Sequence, residues 1–156
     1  MKKRFLSLLL VLVLIMSLMP AALAVNADEA QPKTISVTFR LHTDTDEWIA
    51  PTEVSDLPEG TSVFTVFQKV LADKGYTYEY HEQYCYVQAI TAPDGTRLAE
   101  FSKGQNSGWL FRVNNDFADV GMNDFVLMDG DEIEVLYTAD YAKEPGMSLP
   151  YTDVSW

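Results

Sequence analysis

The chain has 156 residues, with 23 acidic side chains against 11 basic ones and a formal net charge of -12. So acidic a surface repels phosphate backbones and anionic lipid headgroups, which excludes nucleic acid and peripheral membrane binding as functions. A single cysteine, Cys85, excludes an internal disulfide framework.

The N-terminus reads as an export signal. Lys2-Lys3-Arg4 forms a basic start, and an almost unbroken apolar run extends from Phe5 to Met19. Pro20 breaks that run, and Ala22-Leu23-Ala24 offers the small-x-small pattern a signal peptidase requires; Ala27 is an alternative cleavage point. The apolar run is shorter than the roughly 20 residues of a membrane span. Cleavage after residue 24 removes three positive charges, so the remaining 23 acidic and 8 basic residues give -15. The mature protein is therefore expected outside the cell, secreted or at the cell surface, with no membrane segment after cleavage. Residues 25–33 are polar and patternless, as a spacer should be.

From Thr34 the pattern sharpens. Ile35, Val37, Phe39 and Leu41 alternate with polar residues, the period of a half-buried strand. Asp44 to Glu47 reads as a loop, Trp48 and Ile49 as residues packing back from it, and Thr52 to Asp56 as a short extended piece. Thr61 or Ser62 can cap a helix over 61–74, in which Val63, Val66, Phe67, Val70 and Leu71 form one apolar stripe and Gly75 supplies the stop. Strands are then expected at 76–80, 84–91, 98–101, 109–113 and 132–138, with Pro93-Asp94-Gly95 as a turn. Cys85 falls within the second of these and reads as a small buried hydrophobe. One helix on a sheet of four to six strands is an α+β domain, placed at 34–141 and followed by an irregular tail, 142–156.

The search for chemistry finds no catalytic set. His42 and His81 stand on unrelated segments, which speaks against zinc, and no phosphate-binding glycine loop or nucleophile elbow is present. Asp129-Gly130-Asp131 reads as turn geometry rather than a calcium loop. The expectation is a non-enzymatic protein with no metal and no required cofactor. The aromatic strand Trp109 to Val113 directs Trp109, Phe111 and Val113 to one side. Phe111 and Val113 read as core, whereas Trp109, next to Gly108, is expected partly exposed with a flat face and an indole N–H on offer. Asn114 and Asn115 add amide groups at the following turn.

Three blocks carry a family resemblance: Glu59-Gly60-Thr61-Ser62-Val63, Gly108-Trp109-Leu110-Phe111-Arg112-Val113-Asn114, and Leu127 to Glu134 with Asp129-Gly130-Asp131 inside it. Residues 34–140 resemble an uncharacterised bacterial exported domain similar to the C-terminal β-domain of the transcobalamin and intrinsic-factor family. The resemblance implies a β-grasp-like fold and a soluble ligand, with a corrinoid (cobalamin-like) molecule as first candidate. It places Gly108, Trp109 and Leu110 on the ligand-facing hairpin and the segment from Val113 to Phe117, with Asn114 and Asn115, in the loop after it. In the vitamin carriers an α/α-barrel closes the site; this chain lacks one, so an exported partner protein or a second copy would have to do so. The alternative function is a cell-surface or extracellular module that binds a protein or a glycan.

Overall fold

A computed structural model describes residues 33–147, so the export signal, most of the spacer and the end of the tail lie outside the described residues. Within them, β1 (Thr34–Thr43) is the organising strand. Its residues alternate between buried and half-buried, with Phe39 and Leu41 fully enclosed. It pairs antiparallel with β2 (Glu47–Pro58) on one side and parallel with β8 (Glu132–Thr138) on the other. β6 (Gly108–Val113) adds antiparallel to β8, and the two-residue β7 (Asp116–Phe117) closes the order β2-β1-β8-β6-β7.

The second strand is far longer than the expected piece at 52–56. It tolerates Pro51 and Pro58 because it is the sheet's edge, where a missing N–H breaks no ladder. Asp56, at φ 58, and several register shifts with β1 show where that edge departs from regular pairing.

The α-helix α1 (Val63–Lys74) buries the five residues of the expected stripe. It starts two residues later than the sequence pattern implied. Ser62 is the N-cap, accepting from the Thr65 N–H at 3.3 Å, while Thr61 turns away to donate its hydroxyl to the Pro58 carbonyl at 2.6 Å. Gly75 adopts φ 77 and ends the helix by returning its N–H to the last turn. The helix stripe, the inner faces of β1 and β8, and Trp109 and Val113 of β6 form one apolar core.

A separate three-stranded sheet follows in the order β3-β4-β5, from β3 (Thr77–His81), β4 (Tyr86–Thr91) and β5 (Arg97–Ala99). The domain is thus α+β with two sheets of five and three strands, where one sheet of four to six was expected. β4 begins at Tyr86 and not at residue 84. His81 and Tyr86 pair across a reversal that Glu82 to Tyr84 fill with one 3-10 turn. Cys85 closes that turn at φ 50, half-exposed, so it is a corner residue and not the buried strand residue its neighbours suggested. Residues 141–143 form a further short 3-10 turn capped by Asp140, so the tail is ordered further than its weak pattern implied. Among the described residues no helix is long and apolar enough to cross a membrane.

Candidate functional site

β6 belongs to the larger sheet, with β8 along one edge, and Tyr86 of β4 in the smaller sheet approaches its first residue, Gly108. Between them opens a cleft of about 620 Å³. Gly108, Trp109 and Leu110 come from β6, Tyr86 and Gln88 from β4, His81 from the end of β3, and Glu100, Tyr141 and Met147 from segments outside the strands. A smaller cavity of about 210 Å³ adjoins it along β6, sharing Tyr86, Trp109, Leu110 and Met147 and adding Phe111, Phe117, Met122 and Cys85.

Gly108 gives the Tyr86 side chain its room. A Cβ on it would stand 2.6 Å from the Tyr86 hydroxyl oxygen, well inside van der Waals contact. The absent side chain lets the phenol reach the cleft wall. Burial, reinforced by the negative Glu100 and opposed by a hydrogen bond from the Trp109 backbone, pushes the Tyr86 phenol up to about 12. It therefore stays neutral at ordinary pH.

Trp109 corrects the sequence reading. It is 2% exposed. Its indole N–H is already donated to the Leu98 carbonyl at 3.0 Å, its ring meets Tyr137 edge-on at 5.1 Å, and Trp48 covers it at 5.6 Å. The partly exposed face and spare N–H expected beside Gly108 are both committed to the core, because β5 supplies a carbonyl at the distance where solvent was expected. Trp109 reaches the cleft only as part of its wall. Leu110, half-exposed, is the β6 side chain that borders both cavities from the other direction along the strand. Phe117 lines the smaller cavity, with the Arg112 guanidinium 5.8 Å from its ring centre.

The two asparagines lie elsewhere. Asn114 and Asn115 have φ of 53 and 71 between the paired residues Val113 and Asp116, the double positive φ of a type I′ hairpin turn. The Asn114 amide is spent on the chain: it donates to Asp131 at 2.8 Å and accepts the Glu132 N–H at 3.0 Å. Asn115 borders a different cavity of about 320 Å³, with Arg40, Arg112 and Glu134. Asn114→Ala should cost about 1–2 kcal/mol, since it removes two hydrogen bonds and replaces a residue that tolerates the left-handed region with one that does not; chemical denaturation of both proteins measures it. Unchanged stability would mean that the turn is held by its backbone alone.

The acidic turn is equally self-contained. Asp129 accepts the Ser36 N–H at 2.8 Å, and Asp131 accepts from Met128 N–H at 2.8 Å as well as from Asn114. Among the described residues no group of three or more His, Cys, Asp or Glu side chains is arranged to hold a metal ion.

Four of the six sequence-derived residues, Gly108, Trp109, Leu110 and Phe117, thus border the two adjoining cavities. The residues the sequence did not single out are Tyr86, Gln88, Glu100, Tyr141 and Met147. Of these only Tyr86 left a trace, in an aromatic run next to the lone cysteine. The cleft offers a hydrophobic wall, two phenols, one amide, one carboxylate and an imidazole.

Among curated proteins, none matches the chain. Among the solved structures similar to it are two at low identity. Haptocorrin in complex with Cbi, a protein of the transcobalamin family, matches 68% of this chain at 19% identity with a TM-score of 0.49, and the chain spans only 25% of haptocorrin's length. A protein of Ruminococcus gnavus ATCC 29149 proposed to bind metal matches 67% of the chain at 22% identity with a TM-score of 0.42, over 95% of its own length. Residues 60–139, just over half of the chain, match a defined sequence family, and the protein belongs to it: the family described as a domain of unknown function, DUF4430.

Proposed function

We propose that this protein is an exported, non-enzymatic module that binds a soluble small molecule in the cleft between β4 and β6, on a fold we read as β-grasp-like. One observation carries the reading: the cleft of about 620 Å³, in which an apolar wall faces a few convergent polar groups. That chemistry suits a broad, largely apolar molecule with hydrogen-bonding edges. Tyr86 and Tyr141 offer phenol hydroxyls, Gln88 an amide and Glu100 a carboxylate, while Leu110 and Met147 supply contact area. A corrinoid has this character and is the first candidate, in keeping with the sequence blocks that resemble the vitamin carriers' β-domain.

The acidic surface leaves nucleic acid and anionic membranes as poor partners. Residues 1–24 direct the chain out of the cell, where it is secreted or held at the surface, and an exported partner protein could close the cleft from outside.

Titrating the purified full-length protein with cobalamin and related tetrapyrroles, read by absorbance and tryptophan fluorescence, tests the proposal. Trp109 stands in the cleft wall, so binding should quench or shift its emission. Leu110→Trp, which fills the cleft from a half-exposed position, should remove that response and leave the melting curve near the parent's. No spectral change at high micromolar ligand, about 500 μM, would remove the corrinoid for the isolated protein, as that bounds binding at weaker than about -4.5 kcal/mol.

A further inference from the structure

We propose that the chain carries a second binding site, for a neutral saccharide, where α1 meets β3. The site is a cavity of about 440 Å³ lined by Phe64, Gln68, Tyr78, Tyr80, Glu82 and Asn123. None of these residues lines the cleft between β4 and β6.

Three half-buried rings make its aromatic part. Phe64 and Tyr80 lie 4.4 Å apart at a shallow 32°, and Tyr78 stands edge-on to Phe64 at 6.0 Å and 85°. The rings are fixed from behind, for Phe67 in the core packs against Phe64 at 5.9 Å and against Tyr78 at 5.1 Å. A ligand therefore meets a surface already in place, and little side-chain entropy is lost on contact.

The polar part is equally set. Gln68 Nε2 donates to the Tyr78 hydroxyl at 2.6 Å, and Asn123 Nδ2 donates to the Tyr80 hydroxyl at 2.9 Å. Each phenol oxygen is held by an amide, and the amide oxygens of Gln68 and Asn123, with the Glu82 carboxylate, are acceptors at the rim.

This combination selects by chemistry. A pyranose has an apolar C–H face that packs on an aromatic ring, and a girdle of hydroxyls that donate and accept together. A purely apolar ligand would cover the rim's acceptors without satisfying them, which costs free energy. An anionic sugar would meet Glu82, the nearby Asp124 and the negative field of the whole chain. A neutral saccharide is the class that uses the rings and the amides and meets no repulsion.

The test is a ¹H–¹⁵N NMR titration of the full-length protein with cellobiose, N,N′-diacetylchitobiose and, separately, tetramethylammonium chloride. At least one neutral disaccharide should shift the Gln68 and Asn123 side-chain amides and the Tyr78 and Tyr80 backbone signals, with a dissociation constant of about 1 mM. Gln68→Ala combined with Asn123→Ala changes two exposed residues, so it should keep the parent's melting temperature and bind at least about tenfold more weakly. Three results would overturn the proposal: no shift by either disaccharide at about 20 mM, shifts centred on Trp109 and Leu110 instead, or tetramethylammonium moving the same signals at lower concentration, which marks a cation cage. Failure of cobalamin to bind the other cleft leaves it standing, because the two sites share no residue.

Discussion

Trp109→Ala should lower the stability of the protein by about 3–5 kcal/mol, the range for emptying a core tryptophan site. Three separate contacts produce the loss. The indole is 2% exposed and fills the space between Tyr137 and Trp48. Its N–H is donated to the Leu98 carbonyl, so truncation also removes that hydrogen bond. Tyr137, itself fully buried, loses the ring it meets edge-on, although its hydroxyl keeps the Ala99 carbonyl and Ser107 as partners. Against a total stability of about 5–15 kcal/mol for a domain, the change is a large share. A melting-temperature drop of about 10–20 °C follows for a domain of this size. Thermal unfolding followed by circular dichroism reads it directly. A variant that melted within a degree or two of the parent would show that the ring is not a core element, and would return Trp109 to the role of a ligand contact.

The same residue shows where the sequence is legible and where it stops. Periodicity recovers the elements whose neighbours along the chain decide them: the alternation of β1, the stripe and caps of α1, and the turn chemistry of Asn114-Asn115 and Asp129-Gly130. The α+β class follows from those elements, whereas the division into two sheets does not, since it depends on which strands pair and pairing is a long-range choice. β2 is longer than its pattern implies because its period is masked by two prolines that only an edge strand tolerates. The strand of β6 and the turn after it are legible, whereas the pairing of β7 and the burial of Trp109 are not, because the Leu98 carbonyl that takes the indole N–H is 11 residues away and on another sheet. Gly108 illustrates the reverse. The sequence marks it as a place of close approach, but only the fold reveals that the approaching group is Tyr86. The residues opposite β6, among them Glu100, Tyr141 and Met147, carry no local pattern at all, and a cleft built from such residues is invisible until the sheets are assembled.

Glu134 is the clearest case of a residue with no local signal and a large consequence. It lies in the middle of β8, in register with Arg40 on β1 and with Arg112 on β6. Arg112 Nε donates to one carboxylate oxygen; His42 Nε2 lies 2.6 Å and Arg40 3.6 Å from the other. The carboxylate is only 13% exposed, so these partners act with little screening. Burial alone would raise its pKa, but the hydrogen bonds from Arg112 and His42 outweigh burial and hold it below the usual glutamate value of 4.5. The Arg112 guanidinium is in turn held up mainly by its hydrogen bond to Glu134. A carboxylate whose folded pKa is depressed adds stability above its unfolded pKa and gives that stability up as the pH falls through the folded value. The protein should therefore lose stability on acidification below pH 4.5, and this one group should account for part of the slope. Glu134→Gln keeps the shape and removes the charge, leaving Arg112 beside a neutral amide. It should cost about 2–3 kcal/mol at pH 7, less than for a fully buried pair because Arg112 and Arg40 retain some access to water. As the pH falls below 4.5 the two curves should draw together, and they should meet only once the pH has passed the depressed folded value of the parent's carboxylate. Urea unfolding measured at several pH values gives both quantities, and two stability curves running parallel from pH 7 to pH 3 would exclude Glu134 as the source of the acid dependence.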